Sequence, residues 1–416
     1  MSKKRVVVTG LGALTPIGNN VEEYWNALLA GTSGAAPITN FDASKFKTRF
    51  ACELKNVAVN ELLGRRLARR IDPFVQYALI SSDQAIKDSG LAELENKDRI
   101  GVMFTSGIGG LTSLQEEISK FATGNGIPRY SPFLVPKMII DAAAGHISIR
   151  NGFKGLSCAV VTACASSTHA MSLAYDQIRL GRADAIVTGG SEASITEVGV
   201  GGFNALRALS TRNDDYKTAS RPYDQNRDGF VLGEGSGTII LEEYEHAKAR
   251  GAKIYVELAG SAITADAYHQ TAPHPEGEGA ERVIRLAIEN AGLTPDQIDY
   301  INAHSTSTSL GDAMEVKSIQ NALGEHVYKA NISSTKSMTG HLLGAAGAIE
   351  AIACILAVRE DIVPPTINHF DTDEVFDKGL NFTVNKPQKR IVRAALNNNF
   401  AFGGHNSSII FKKFEE

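Results

Sequence analysis

The sequence predicts an α/β protein made of two duplicated halves, and three observations carry that reading. Short apolar segments of the size of buried strands alternate with longer helical ones along the chain. A helix closed by glycine and followed by a strand occurs once in each half: residues 72–91 lead into 100–105, and residues 279–293 lead into 299–303. Each half then runs through a strand, a Ser/Thr-rich turn and a helix of small residues, over 159–182 and again over 331–359. The division falls near 249–253, giving an N-terminal half of residues 1–250 and a C-terminal half of residues 251–416.

Residues 5–9, 100–105, 156–162, 185–188 and 238–242 are short, apolar and bounded by Gly or polar residues, as strands covered on both faces are. Their alternation with helices predicts a mostly parallel sheet carrying helices on both faces. The helix at 72–91 ends at Gly90 and its counterpart at 279–293 ends at Gly292.

The chain has 416 residues, 43% hydrophobic and 21% charged, enough to bury two cores or one composite core. With a formal net charge of -4, the whole surface does not favour nucleic acid or an anionic membrane, so electrostatic docking has to come from a local patch. Cys52, Cys158, Cys164 and Cys354 form no CxxC pair and no Cys/His cluster. No disulfide framework, metal or cofactor is expected, and a reducing compartment fits. Met1, Lys3, Lys4 and Arg5 run directly into Val6 without a long apolar stretch or cleavage site, so no signal peptide is expected. Residues 342–358 are apolar, but they are barely long enough to span a bilayer and carry Glu350 at their middle. A charge there costs at least ~2.5 kcal/mol. A buried helix in a soluble, intracellular protein is the expectation.

Three motifs resemble known sites and lack what those sites need. Gly10-Leu-Gly12 opens like a dinucleotide fingerprint, but the third glycine and the distal acidic residue are missing, so the glycines are read as shaping a loop. Asp224, Asn226 and Asp228 copy the start of a calcium loop, but Gly235 stands where the closing Glu belongs, and Glu234 misses by one. Ser166, Ser167, Thr168 and His169 are adjacent in sequence, which is not triad geometry, and His169 is read as structural.

The chemistry concentrates elsewhere. Residues 159–162 read as a strand and 165–180 as a helix, with Cys164 at the junction. A thiol there feels the free N–H groups and positive end of the helix, which lower its pKa and favour the nucleophilic thiolate. Taken alone, this segment leaves two readings open, a nucleophile or a buried small hydrophobe. Two further turns bear on the choice. His304 follows the strand at 299–303, and His341 precedes the small-residue helix of the second half, the place corresponding to Cys164 in the first. A pseudo-two-fold pairing would bring one Cys and two His to a single pocket. Phe400-Ala-Phe402-Gly-Gly404 adds a Gly-rich hairpin that can offer a backbone N–H and a movable aromatic ring.

Specific motifs identify a family. They are Val161-Thr-Ala-Cys-Ala-Ser-Ser167, Arg221-Pro through Asp228-Gly-Phe230 to Gly233-Glu-Gly235, Asn302-Ala-His304, and Ser334-Thr-Lys336-Ser-Met-Thr-Gly-His341-Leu-Leu-Gly344. The chain resembles the elongating β-ketoacyl-acyl carrier protein synthases, within the thiolase-like fold, from Val8-Thr-Gly-Leu-Gly12 to Ser407. The pair His304 and His341 looks like the Cys-His-His elongating enzymes, and Thr105-Ser-Gly-Ile108 looks more like the synthase II branch than synthase I.

The resemblance implies a five-layered αβαβα arrangement, a cytoplasmic homodimer with a sheet continuous across its interface, and a decarboxylative Claisen condensation of acyl- with malonyl-carrier protein. It implies Cys164 as nucleophile, the N–H groups of Cys164 and Phe402 as oxyanion hole, and His304 and His341 at decarboxylation. Lys336 would set the electrostatics with Glu350 as partner, Asp312 would serve the His304 loop, and Phe402 would gate the acyl pocket. Ile108, Phe203, Thr306, Thr308 and Phe400 would contact substrate. The run Arg65, Arg66, Arg69 and Arg70, at helical i,i+4 spacing, is a solvated face or a docking patch for the acidic carrier protein, helped by Arg129 and Arg207. Two positions depart from the family pattern: Ser305 and Ala401 stand where glycine is usual, and Ala narrows the φ range. The rival readings are a thiolase, which would need a second Cys after Cys354, a polyketide ketosynthase, and a partner subunit without the nucleophile.

Overall fold

The computed structural model describes residues 4–416; Met1 and Lys3, read above for a leader, lie outside them. Ten strands form the principal sheet system among these residues. In the first half they are β1 (Val6–Leu14), β2 (Ile100–Thr105), β3 (Ser157–Cys158), β4 (Ala185–Glu192) and β5 (Gly235–Glu243). In the second half they are β6 (Glu257–Ala265), β7 (Tyr300–Asn302), β8 (Asn331–Ser333), β9 (Ala394–Ala401) and β10 (His405–Lys412). The helices that matter here are α1 (Pro73–Ser89), α2 (Ser166–Arg179), α3 (Glu278–Asn290), α4 (Ser309–Leu323) and α5 (Ala346–Glu360).

The spatial order is β8-β7-β9-β10-β6-β1-β5-β4-β2-β3. Read outward from the centre, β1, β5, β4, β2 and β3 pair antiparallel, antiparallel, parallel, parallel, and β6, β10, β9, β7 and β8 repeat that pattern. The two five-stranded sheets touch at one ladder position, Val7 opposite Glu257. The expected mostly parallel sheet is therefore corrected to a mixed one. The reason is local: β10 follows β9 after only residues 402–404, far too short for the crossover that a parallel pairing needs.

Five layers result, as in the thiolase-like fold. Helices α2 and α5 lie between the sheets: α2 packs on β4 and β2 and also on β6 and β10, while α5 packs on β9 and also on β5 and β4. Helix α1 covers β1 and β5 from outside, and α3 covers β6 and β10. The apolar stretch read from the sequence is α5, whose residues from Ala346 to Val358 are all buried, and a helix apolar all round belongs in a core. No helix among the described residues is long and apolar enough to cross a membrane.

Three local expectations change. Gly10 and Gly12 lie inside β1, not in a loop. A Cβ on Gly12 would stand 1.9 Å from the Ser81 carbonyl oxygen and one on Gly10 2.3 Å from that of Ala85, so these glycines let α1 press onto β1. The strand expected through 162 stops at Cys158, and the chain leaves the sheet edge to enter the turn holding Cys164. The arginine run spans a single helical turn: the helix Arg65–Ala68 follows Gly64 (φ 79°) and ends at Arg69, its C-cap, whose N–H donates to the Arg65 carbonyl at 3.3 Å, so Arg65 and Arg69 keep their i,i+4 spacing while Arg70 lies beyond the helix. Arg65, Arg66, Arg69, Arg70 and Arg129 are all exposed, and Arg70 stacks 5.2 Å from the Phe133 ring.

Candidate active site

Cys164 is the middle residue of a 3-10 turn, Ala163–Ala165, that leads directly into α2. Ala163 has φ 49°, a left-handed conformation that costs a residue with a Cβ about 1–3 kcal/mol. Ser166 holds the turn: its hydroxyl donates to the Ala163 carbonyl at 2.6 Å and accepts from Thr162 N at 2.9 Å. The sharp turn aims the thiol at a cavity of about 370 Å³ between the two halves, bordered by Cys164, His304, His341, Phe400 and Phe402. Phe203, Thr306, Thr308 and Arg207 border the same cavity. Ile108 does not: it is 39% exposed after β2, its N–H donated to Glu192 at 3.2 Å.

The two imidazoles meet edge to face, ring centroids 5.3 Å apart at 85°. Phe400 packs on His304 at 6.1 Å, and Phe230 packs on His341 at 5.3 Å. Burial, the charge of Lys336 and the neighbouring His341 hold His304 well below the ordinary imidazole range, and burial with Lys336 does the same to His341. Both rings are neutral at pH 7. Asn399 fixes the tautomer of His304. Its carbonyl oxygen accepts from the Thr168 hydroxyl and its amide nitrogen faces Glu350 Oε2 at 2.8 Å, so that nitrogen is also the donor 3.4 Å from His304 Nδ1. With Nδ1 accepting, the ring proton sits on Nε2. Nδ1 of His341 is buried without a partner among the described residues; an orphaned acceptor is less costly than an orphaned N–H, which again favours the Nε2 proton.

Lys336 is buried and donates to Glu350 Oε1, the partner the sequence named. Burial raises the Glu350 carboxyl, against the opposing charge and hydrogen bond of Lys336 and that of Asn399. Asp312 reaches the His304 loop but not His304: it accepts from Ser307 N at 3.1 Å and Tyr223 N at 3.2 Å, with Arg227 at 3.6 Å. The residue that holds His304 is Glu315, which accepts from His304 N at 2.8 Å and Ser305 N at 2.6 Å. Burial pushes Glu315 up to about 7 and Asp312 up to about 6, against their backbone donors.

The thiol differs from expectation. Burial pushes Cys164 up to about 12, Lys336 opposes, and the carboxylates of Glu192 and Glu350 add to the rise. Desolvation outweighs the helix N-terminus, so the resting group is a thiol.

Both departures from the family pattern are accommodated. The Ser305 hydroxyl donates to Glu315 Oε2 at 2.9 Å, and Ala401 lies in regular ladder pairing with His405, where a Cβ costs nothing. The positive φ of this hairpin falls on Gly403 (88°) and Gly404 (70°). His169 shares Nδ1 contacts with the Thr162 hydroxyl at 3.0 Å and the Ala165 carbonyl at 3.2 Å, bracing the Cys164 turn. Asp224 accepts from the backbone N–H groups of Asn226, Phe370 and Asp371. Among the described residues no group of three or more His, Cys, Asp or Glu is placed to hold a metal.

A Cys at a strained helix-initiating turn, facing two neutral imidazoles across the junction of duplicated halves, defines a thiolase-like ketosynthase architecture. The chain belongs to the beta-ketoacyl synthase family: the family's N-terminal domain matches residues 3–247 and its C-terminal domain residues 255–370. It is 49% identical to the 3-oxoacyl-[acyl-carrier-protein] synthase 2 of Synechocystis, covering 100% of this chain and 99% of that one. It is 48% identical to the synthase 2 of Vibrio harveyi, covering 100% of both. Among solved structures, a beta-ketoacyl synthase from Burkholderia phymatum aligns with TM-score 0.91 at 34% identity over 99% of this chain and 100% of that one. A type II polyketide ketosynthase in complex with its acyl-carrier protein aligns with TM-score 0.90 at 34% identity, with the same coverage.

Proposed function

We propose that the chain is an acyltransferase of fatty acid elongation, condensing acyl- with malonyl-carrier protein to give 3-oxoacyl-carrier protein, carbon dioxide and free carrier protein. The observation that carries this reading is the convergence of Cys164, His304 and His341 on one cavity. The nucleophile comes from the half spanning residues 1–250 and both imidazoles from the half spanning 251–416.

Cys164 Sγ attacks the acyl thioester carbon; the new S–C bond forms, the carrier's C–S bond breaks, and the thiol proton ends on the departing carrier thiol. Charge on the tetrahedral oxygen is met by the N–H groups of Cys164 and Phe402. In the malonyl thioester, the bond to the carboxylate then breaks and its electron pair becomes an enolate. The Nε2–H groups of His304 and His341 donate to the enolate oxygen. Neutral donors serve this best, because they stabilise the enolate without protonating it. The enolate carbon bonds to the acyl carbon, the acyl–Sγ bond breaks, carbon dioxide leaves, and the released Cys164 thiolate takes one proton from solvent, the proton that the overall reaction consumes. Lys336 and Glu350 hold the field of the site, Glu315 and Asp312 shape the loop of His304, and Phe402 gates the cavity. Phe203, Thr306, Thr308 and Phe400 contact the substrate.

The partner is acyl carrier protein, met by the exposed Arg65, Arg66, Arg69, Arg70 and Arg129 and by Arg207 at the cavity mouth. The working form is a cytoplasmic homodimer. Reversing Arg65 and Arg69 to Glu raises KM for carrier-bound substrates and spares small acyl thioesters; an equal loss on both removes the docking role.

Condensation of palmitoleoyl-carrier protein with malonyl-carrier protein tests the function, with Cys164→Ala as control. Extension of the sixteen-carbon chain, lost in the control, supports the synthase 2 reading. Extension of short chains alone moves the protein toward synthase I or polyketide assembly, and no condensation at all overturns the reading.

A further inference from the structure

Glu192 is a buried carboxylate that the condensation chemistry leaves unused. It ends β4, is 0% exposed, and receives five hydrogen bonds. Gly107 N at 2.8 Å and Gly344 N at 2.9 Å donate to Oε2. The Ser106 hydroxyl at 2.8 Å, Ile108 N at 3.2 Å and the Ser194 hydroxyl at 3.1 Å donate to Oε1. Burial raises the Glu192 carboxyl and these hydrogen bonds oppose the rise; three of the donors are backbone N–H groups, which can only donate, so the pocket's geometry favours an ionised acceptor.

The loops it joins belong to different halves. Residues 106–108 follow β2, whereas Gly344 is the middle residue of the 3-10 turn Leu343–Ala345 before α5. Gly344 thus holds the place that Cys164 holds in Ala163–Ala165 before α2, and the residue preceding each has the same left-handed backbone, φ 49° at Ala163 and 48° at Leu343. In the first half the N–H of this position is free to meet a substrate oxyanion in the proposed reaction. In the second half it already meets an anion, the Glu192 carboxylate. The fit has no slack: a Cβ on Gly344 would lie 2.1 Å from Gly107 N, and one on Gly107 2.7 Å from Glu192 Oε2. Leu343, beside Gly344, borders the catalytic cavity, and His341 lies two residues before it.

We propose that Glu192 is a positioning residue: an internal anion that fills the second half's counterpart of the oxyanion site, locks the 106–108 turn against Gly344, and thereby fixes the segment carrying His341. Its charge also reaches Cys164, acting with Glu350 and against Lys336, while His304 and His341 face the thiol as neutral rings.

The proposal rests on the condensing reading for its rate assay and not for its second readout. Glu192→Gln and Glu192→Ala are compared with wild type in malonyl-carrier protein decarboxylation, with and without added formate, and in the pH dependence of Cys164 alkylation by iodoacetamide. The Gln amide sets an N–H against backbone N–H groups, so decarboxylation falls about tenfold or more and, with the negative charge gone, Cys164 alkylates at lower pH. Glu192→Ala falls as far and recovers several-fold when formate fills the vacated carboxylate site. A Gln variant that matches wild type in both readouts overturns the proposal, as does a folded Ala variant that formate does not rescue. Should the Ala variant fail to fold, the Gln variant decides alone. Should wild type itself not decarboxylate malonyl-carrier protein, the condensing reading fails while the alkylation profile still decides the role of Glu192.

Discussion

Ala163 and Leu343 begin equivalent 3-10 turns with nearly equal φ, and each turn opens into a helix lying between the two sheets. After the first comes Cys164, at the edge of the cavity; after the second comes Gly344, its N–H bound to Glu192. Helix α5 buries one charged side chain, Glu350, paired with Lys336, while α2 sends Thr168 to the Asn399 that braces both Glu350 and His304. Duplication therefore supplies two equivalent helix-initiating turns, and side chains decide which one reacts. The first half is left open to substrate. The second half's turn is filled by Glu192, a carboxylate of the first half, and the second half contributes the imidazoles.

Separating the two contributions should break the comparison most visibly. Cys164→Ala removes acyl transfer and condensation by about 10⁴-fold or more, yet leaves malonyl-carrier protein decarboxylation running, since the imidazoles remain. His304→Ala or His341→Ala does the converse, slowing decarboxylation about 10²–10³-fold, as loss of one oxyanion donor does, while acylation of Cys164 persists. Parallel assays of the two half-reactions check both.

Lys336→Met leaves Glu350 buried without its partner and should destabilise the fold by about 3–5 kcal/mol, read from urea unfolding. The pH profile sharpens the picture of the second half. Because burial and Lys336 lower both imidazoles well below the ordinary value of 6.5, they stay neutral where a free histidine would be half protonated. The ring signals of His304 and His341 followed by NMR should therefore show no inflection near 6.5, any step appearing only in more acidic solution; an inflection at 6.5 in those ring signals would show solvated rings. The smallest effect belongs to Ser305→Ala, which loses the hydroxyl bond to Glu315 and should cost about 1 kcal/mol by thermal unfolding.

Much of this was legible in the chain. The Cys164 junction, the two His-bearing turns and the repeat share a local grammar of strand, small polar turn and helix, which survives in sequence because it is local. Among the supporting groups Glu350 is named beside Lys336 and Asp312 beside the His304 loop, but Glu192, Glu315 and Asn399 are not. Glu192 meets Gly344 and Asn399 meets His304 across the fold, and such pairings have no spacing signature. A hint existed in Asn397, Asn398 and Asn399, three amides in a row in a buried strand, where side chains of this type need dedicated partners. Glu315 stood three residues after Asp312 on the same helix, and the choice between them depended on which carboxylate the loop reaches. The upward push on the Cys164 thiol has no sequence signal, because a helix N-terminus is visible in sequence and the desolvation of a half-buried thiol in a cavity wall is not. In the arginine run the i,i+4 spacing holds for Arg65 and Arg69, and only the end of the helix before Arg70 has no signal in the spacing.

The central claim, that Cys164 carries the acyl group between two half-reactions, is tested most directly by intact-protein mass spectrometry after mixing with acyl-carrier protein alone. The account predicts one added acyl group per chain, mapped to the peptide containing Cys164 and discharged on adding malonyl-carrier protein. An acyl group on another residue, or condensation that persists in Cys164→Ala, would contradict it.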